Sequence, residues 1–242
     1  MKKKLLSGIL LIGILLSIPC TQIDLASDRL EESIQELPMP ESNDTVASPI
    51  TPSENFTNSD GVYSLSLSSS VGTLTYYNQS DVRWAGHLYG GLDRMAAYGC
   101  GPTVMAMIIS SFTEHNLLPS DMADWAATNH YWAASSGTKH NFIPECAAAF
   151  GLKAEPFTGR TDTEVRQALL SGHILVALMG PGHFTTSGHF IILYNYWSGN
   201  EIRIADPASL DRTMTAWDIN LILNELNSAT DYGGPIWMIS PQ

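Results

Sequence analysis

Cys100 stands in Tyr98-Gly99-Cys100-Gly101-Pro102-Thr103, directly before an apolar run that continues to Phe112. A thiol at the start of a helix meets the positive end of the helix dipole and backbone N–H groups with no partner inside the helix. Both favour the thiolate, which is the nucleophilic form of cysteine. Gly99 and Gly101 leave room for a substrate backbone to come close, and a cysteine placed only for packing would gain nothing from two glycine neighbours. The commoner role of a free cysteine is that of a small buried apolar residue. The pattern around Cys100 points instead to nucleophilic catalysis.

A nucleophilic cysteine needs a base, and the base needs an orienting group. His189 opens the apolar run His189-Phe-Ile-Ile-Leu-Tyr194 directly after Ser187-Gly188, so a rigid strand can aim it at a helix end. Asp206 follows 17 residues later, at the end of Glu201–Ala205. If these two runs form a hairpin, Asp206 comes beside His189, where a carboxylate holds the imidazole tautomer and stabilises the imidazolium. Asp206-Pro207 read alone is a turn opener. His183, in Gly182-His183-Phe184, is the rival base, but its Gly/Pro/Thr-rich loop offers no foreseeable carboxylate, so it is expected to line the cleft or lie on the surface. Acyl transfer also needs donors for the oxyanion. The Cys100 N–H is one. Gln79, 21 residues upstream, is the candidate for a second, although its residue context alone favours a surface-loop amide.

The elements that must hold these groups follow from pattern. Val71–Tyr77 reads as a strand and 78–99 as a long loop. Helices are expected over Pro102–Phe112, with proline in the first turn, and over Ser120–Thr128 and Asn141–Phe150. Thr161-Asp-Thr-Glu164 is a capping box that opens a helix to Leu170. Ile174–Leu178 reads as a strand, and His189–Trp197 with Glu201–Ala205 as a hairpin around Ser198-Gly199-Asn200. Trp217–Leu226 reads as a helix and Ile236–Ile239 as a last strand. Helices first and strands later favour an α+β fold over a doubly wound one.

Composition bounds the rest. The chain has 242 residues, 44% of them hydrophobic, and a net charge of −12. That balance argues against nucleic acid, which needs a basic face, and against docking on anionic lipid or wall polymers. Lys2–Lys4 precede an apolar run from Leu5 to Ile18, the pattern of an export signal and too short to span a bilayer as a helix. Residues 1–26 are therefore expected to be a signal peptide or N-terminal anchor, with Cys20 a poor match to a lipidation site. Residues 27–70, rich in Ser, Pro and acids, read as a disordered linker, with a propeptide as the alternative. Residues 71–242 are expected to fold as one domain. Trp84, Trp125, Trp132 and Trp217 suit core or cleft-wall positions, and Trp84 is the one assigned to substrate binding with Gly99, Gly101, His183 and Gly188. Cys146 reads as inert on a helix. No metal-ligand spacing or phosphate loop is present, so neither metal nor cofactor is expected.

Gln79-Ser-Asp81-Val-Arg-Trp84, Tyr98-Gly-Cys100-Gly-Pro-Thr103, Gly188-His189-Phe190 and Ala205-Asp206-Pro207, in this order, resemble the bacteriocin-processing type of bacterial cysteine peptidase. With Gly180-Pro-Gly-His-Phe184, they look most like its stand-alone secreted branch. The resemblance spans residues 74–240 and implies a papain-like α+β fold. In that fold a cysteine at a helix N-terminus packs on a mainly antiparallel sheet that carries the histidine and the aspartate. It assigns nucleophile, base, orienter and oxyanion donor to Cys100, His189, Asp206 and Gln79. The chain departs from the transporter-fused members in having neither transporter helices nor a nucleotide-binding loop. The expected protein is thus an exported bacterial hydrolase of peptide bonds, monomeric, touching the membrane only through its N-terminal segment. A peptidoglycan stem peptide is the alternative substrate, and a non-catalytic cell-surface binding module is the reading from a different class.

Overall fold

The computed structural model describes residues 61–63 and 65–241. The expected export segment, Cys20 and the linker up to residue 60 lie outside the described residues. The strand β1 (Leu65–Ser69) falls inside the stretch expected as linker. Its Leu65 and Leu67 alternate with serines and are both buried, a period-2 signal too short to stand out in a serine-rich run. It pairs antiparallel with β2 (Gly72–Tyr76).

The expected long loop over 78–99 is punctuated by the small ladder β3 (Leu88–Tyr89) with β4 (Asp93–Arg94) and by a single turn, α1 (Met95–Tyr98). The helix α2 (Cys100–Phe112) then begins at the cysteine itself. Gly101 to Ile109 are buried without a break, as suits a helix that is apolar all round. Pro102 sits in its first turn, where a missing N–H costs no intrahelical bond. Around it lie α3 (Pro119–Thr128), the two-residue strands β5 (Trp132–Ala133) and β6 (Gly137–Thr138), and α4 (Phe142–Ala149).

The second half is built on a sheet. Its strands are β7 (Leu152–Pro156), β8 (Ile174–Met179), β9 (His189–Ser198), β10 (Glu201–Ala205), β11 (Ala216–Asp218) and β12 (Ile236–Pro241), in the spatial order β11-β10-β9-β8-β12-β7. Every pairing is antiparallel. Helices α5 (Asp162–Leu170), α6 (Leu210–Met214) and α7 (Ile219–Asn224) complete the chain. Trp217 therefore lies in a strand and not at the start of a helix: Asp218 caps α7 through its side chain, so the helix cannot begin before Ile219.

The sheet is buried on both faces. Val176, Leu178, Ile192 and Trp237 join the core that contains α2, whereas Leu175, Ala177, Ile191 and Leu193 join a second core with Val165 of α5 and Ile222 of α7. This explains why β8 and the first part of β9 read as unbroken apolar runs with no alternation. The architecture is the expected papain-like α+β arrangement, with a buried central helix against a mainly antiparallel sheet.

Candidate active site

The N-terminus of α2 meets the head of β9. The Cys100 sulfur faces the His189 imidazole and the backbone N–H groups of Phe190 and Gly101, all of which favour its thiolate form. On its other side, His189 Nε2 lies 2.7 Å from Asp206 Oδ1. With Nε2 so engaged, Nδ1 is the ring nitrogen left for the sulfur. Both residues of the histidine–aspartate pair are buried. Cys100 is only half-buried, at the edge of a cleft of about 370 Å³ that Gly188 and Phe190 help to line.

The hairpin brings Asp206 to His189 through an irregular register. Ser198 pairs with Glu201, and an unbroken ladder would set Ala205 opposite Tyr194. Two register shifts place Ala205 opposite Ile192 instead, which carries Asp206 two residues nearer to His189. The carboxylate is then held from every side. Oδ1 also accepts from the Ala208 N–H at 2.8 Å, and Oδ2 accepts from Arg212 Nε at 2.5 Å. Thr213 Oγ1 accepts from the Asp206 N–H, and the Tyr76 hydroxyl donates to the Asp206 carbonyl.

The charges of these groups support one another. Burial works against the imidazolium, but hydrogen bonds to Asp206 and Cys100 and their negative charge outweigh it, so His189 is pushed up to about 9. Burial likewise opposes the Cys100 thiolate, and the His189 hydrogen bond and positive charge outweigh it, holding the thiol below its usual range. Asp206 lies below the usual carboxylate range. Burial there is overcome by His189 and by the Arg212 guanidinium. All three shifts point the same way, favouring a thiolate–imidazolium pair backed by a carboxylate. Cys146 behaves in the opposite way: it is buried against Met122, and desolvation alone drives its thiol well up.

Gln79 is anchored beside the cleft. Its Nε2 donates to the Ala96 carbonyl at 2.8 Å and its N–H to the Pro207 carbonyl at 2.7 Å, while Oε1 is buried without a partner. Ala97 and Tyr98, the next residues along, form part of the cleft wall. Trp84 is not in that wall. It is 2% exposed and donates from Nε1 to the Asn78 carbonyl, so it props the loop that carries Gln79 and is not placed to meet substrate. Gly99 and Gly101 also differ from expectation. A Cβ on Gly99 would meet Met95 atoms at 2.6 Å and one on Gly101 would meet Thr138 Oγ1 at 2.7 Å. The space that both glycines leave is filled by the protein itself, so they let α2 pack closely and do not admit a substrate backbone. Gly188 is exposed in the cleft wall. His183 has the carboxylate that its sequence did not foretell: Nδ1 pairs with Glu225 Oε1 and its N–H donates to Glu225 Oε2 at 2.7 Å, and His183 is not part of the wall of the Cys100 cleft.

Sequence reasoning missed Arg212 and Thr213. The signal was present in Ser209, whose side chain accepts from the Arg212 N–H and caps α6, the short helix that presents both residues to Asp206. Among the described residues no group of three or more His, Cys, Asp or Glu side chains could hold a metal ion.

A buried central helix packed on a mainly antiparallel sheet defines the papain-like α+β class of domain. Residues 72–230 match the sequence model of the Peptidase_C39 like family, and the chain belongs to that family. No curated protein matches the chain. Two solved structures resemble it. The peptidase domain of Streptococcus ComA, a bi-functional ABC transporter involved in a quorum sensing pathway, is 18% identical with a TM-score of 0.44, over 60% of this chain and 93% of that one. A C39-like peptidase from Bacillus anthracis is 15% identical with a TM-score of 0.43, over 60% of this chain and 90% of that one. The family assignment rests on the sequence match.

Proposed function

We propose that this protein is an exported cysteine peptidase that hydrolyses amide bonds through Cys100, His189 and Asp206. The observation that carries the reading is the continuous contact from the Cys100 sulfur through the His189 ring to Asp206. The Cys100 thiolate attacks the substrate carbonyl carbon. The developing oxyanion is met by the Cys100 N–H at the head of α2 and by the Nε2 hydrogen of Gln79 that Ala96 leaves free. The imidazolium of His189 passes its Nδ1 proton to the departing amine, leaving a thioester. Neutral His189 then takes a proton from water, which attacks the thioester and releases the acid and the thiolate. Asp206 keeps its proton partner on Nε2 throughout, and Arg212 holds the carboxylate in place.

The substrate is a peptide or protein met outside the cytoplasm. Export is supported by the Lys2–Lys4 and Leu5–Ile18 pattern, and membrane contact is confined to that segment. The net charge of −12 disfavours close work on anionic wall polymers. The full chain acts as a monomer without metal or cofactor.

Incubating the protein with a peptide library and, separately, with purified wall sacculi, beside Cys100→Ala, tests the reading. Cys100-dependent cleavage of peptides is expected. Cleavage of sacculi alone would move the substrate to the wall, and no Cys100-dependent cleavage of either would leave a binding module.

A further inference from the structure

The cleft at Cys100 does not stop at a plain wall. Ser136, Thr138 and His140 line it, and the same three residues line a second basin of about 610 Å³ on their far side. They therefore form the divide between two neighbouring hollows. His140 lies between β6 and α4, on the helical side of the molecule, and its ring packs edge-on against Phe190 of β9, 6.4 Å away. Its Nδ1 is 2.7 Å from Oδ1 of Asp231, which lies 91 residues further on and precedes the sheet strand β12. Asp231 lines only the outer basin, and its side chain is 62% exposed. The pair thus ties the helical wall to the sheet wall at the end of the nucleophile's cleft.

We propose that the His140–Asp231 pair is a specificity-determining crossbar that limits how many substrate residues the cleft accepts on that side of the scissile amide. The inference rests on the hydrolase reading and adds a length limit to it. An extended backbone advances by about 3.3 Å per residue, so a chain entering the cleft beside Cys100 reaches such a divide within a few residues. With the pair closed, substrates ending short of it fit and longer ones must break a hydrogen bond to continue. The basin beyond is lined by polar groups, among them Lys139, Glu145 and Asn141, and gives a longer chain few apolar contacts to offset that cost.

The test uses one cleavable core peptide lengthened by one to six residues at its N-terminus in one series and at its C-terminus in another. In the full-length protein, kcat/KM is expected to fall at least tenfold beyond a set length in one series and to stay level in the other. In Asp231→Ala that fall shrinks below threefold. In Asp231→Asn, whose amide can still bond His140, it persists. The same peptides titrated by calorimetry against Cys100→Ala report the length limit on affinity without turnover. Both series level in the unmodified protein, or a fall that Asp231→Ala leaves intact, overturns the crossbar alone. Neither cleavage nor binding at any length overturns the hydrolase reading and the crossbar with it.

Discussion

Cys100 and Cys146 differ less in type than in surroundings. One thiol is stabilised as thiolate by a histidine and two backbone N–H groups, while the other is surrounded by apolar atoms. Iodoacetamide at neutral pH is therefore expected to label Cys100 within minutes and to leave Cys146 unlabelled in the folded protein, read by mass spectrometry of the two cysteine peptides. The pH dependence follows from the signs of the shifts. In the proposed mechanism His189, raised to about 9, gives its proton to the leaving amine, so hydrolysis should fall as pH rises through about 9. Alkylation, which needs only the thiolate, should show no alkaline fall and should begin to rise below the usual thiol range. His189→Ala is expected to lose about 10²–10⁴ in rate and Gln79→Ala about 10²–10³. His183→Ala should leave kcat/KM nearly unchanged, because its partner is Glu225. Arg212 is a positioning residue. Removing its charge in Arg212→Met leaves Asp206 to pull harder on the imidazolium, so the alkaline limb should move up while kcat drops. Arg212→Lys should keep the limb near its original place. An unmoved limb in Arg212→Met would assign Arg212 to structure alone.

At the scale of elements, three devices act, and they differ in whether they reach the site. Thr161 caps α5: its hydroxyl accepts from the Glu164 N–H, and Glu164 reaches back to the Thr161 N–H, as the capping box predicts. Thr161→Ala should cost about 1 kcal/mol in urea unfolding. That helix covers the sheet face away from α2, so the loss should lower stability and leave Cys100 alkylation unchanged. Gly101 is the contrasting case. Gly101→Ala forces a methyl to within 2.7 Å of Thr138 Oγ1 and should cost about 1–3 kcal/mol. It also shifts the α2 terminus that carries the thiolate, so both stability and alkylation rate should fall. The register shifts between β9 and β10 are a third device. They had no sequence signal, because the shifts fall at residues 194–198 and 201–204, where no glycine or other residue type marks an extra residue in the ladder.

For the whole molecule, the proposed nucleophile and base come from opposite layers: Cys100 from the central helix, and His189 and Asp206 from the sheet. The contact between them survives only while the core around α2 does. Rapid alkylation of Cys100 and tryptophan fluorescence should therefore be lost at the same urea concentration, and a separate, earlier loss of alkylation would show the layers parting before they unfold. Ile192→Ala, in the core between helix and sheet, should lower that shared midpoint at a cost of about 2–5 kcal/mol.

Much of this was legible in the linear chain because the signals are local. An apolar run after Gly-Cys-Gly-Pro must be a buried helix with its thiol at the positive end. A capping box sets one helix start, and two apolar runs around Ser198-Gly199-Asn200 must fold back on each other. Those facts determine the elements and name Cys100, His189 and Asp206 as the groups to watch. What only the tertiary structure decided are distances between elements far apart in sequence. The bulged register delivers Asp206 to His189, Arg212 closes on the carboxylate, Met95 and Thr138 fill the space beside two glycines, and His140 meets Asp231. No local pattern encodes these meetings, because packing the helix on the sheet chooses them, and packing depends on the shapes of all the side chains at once.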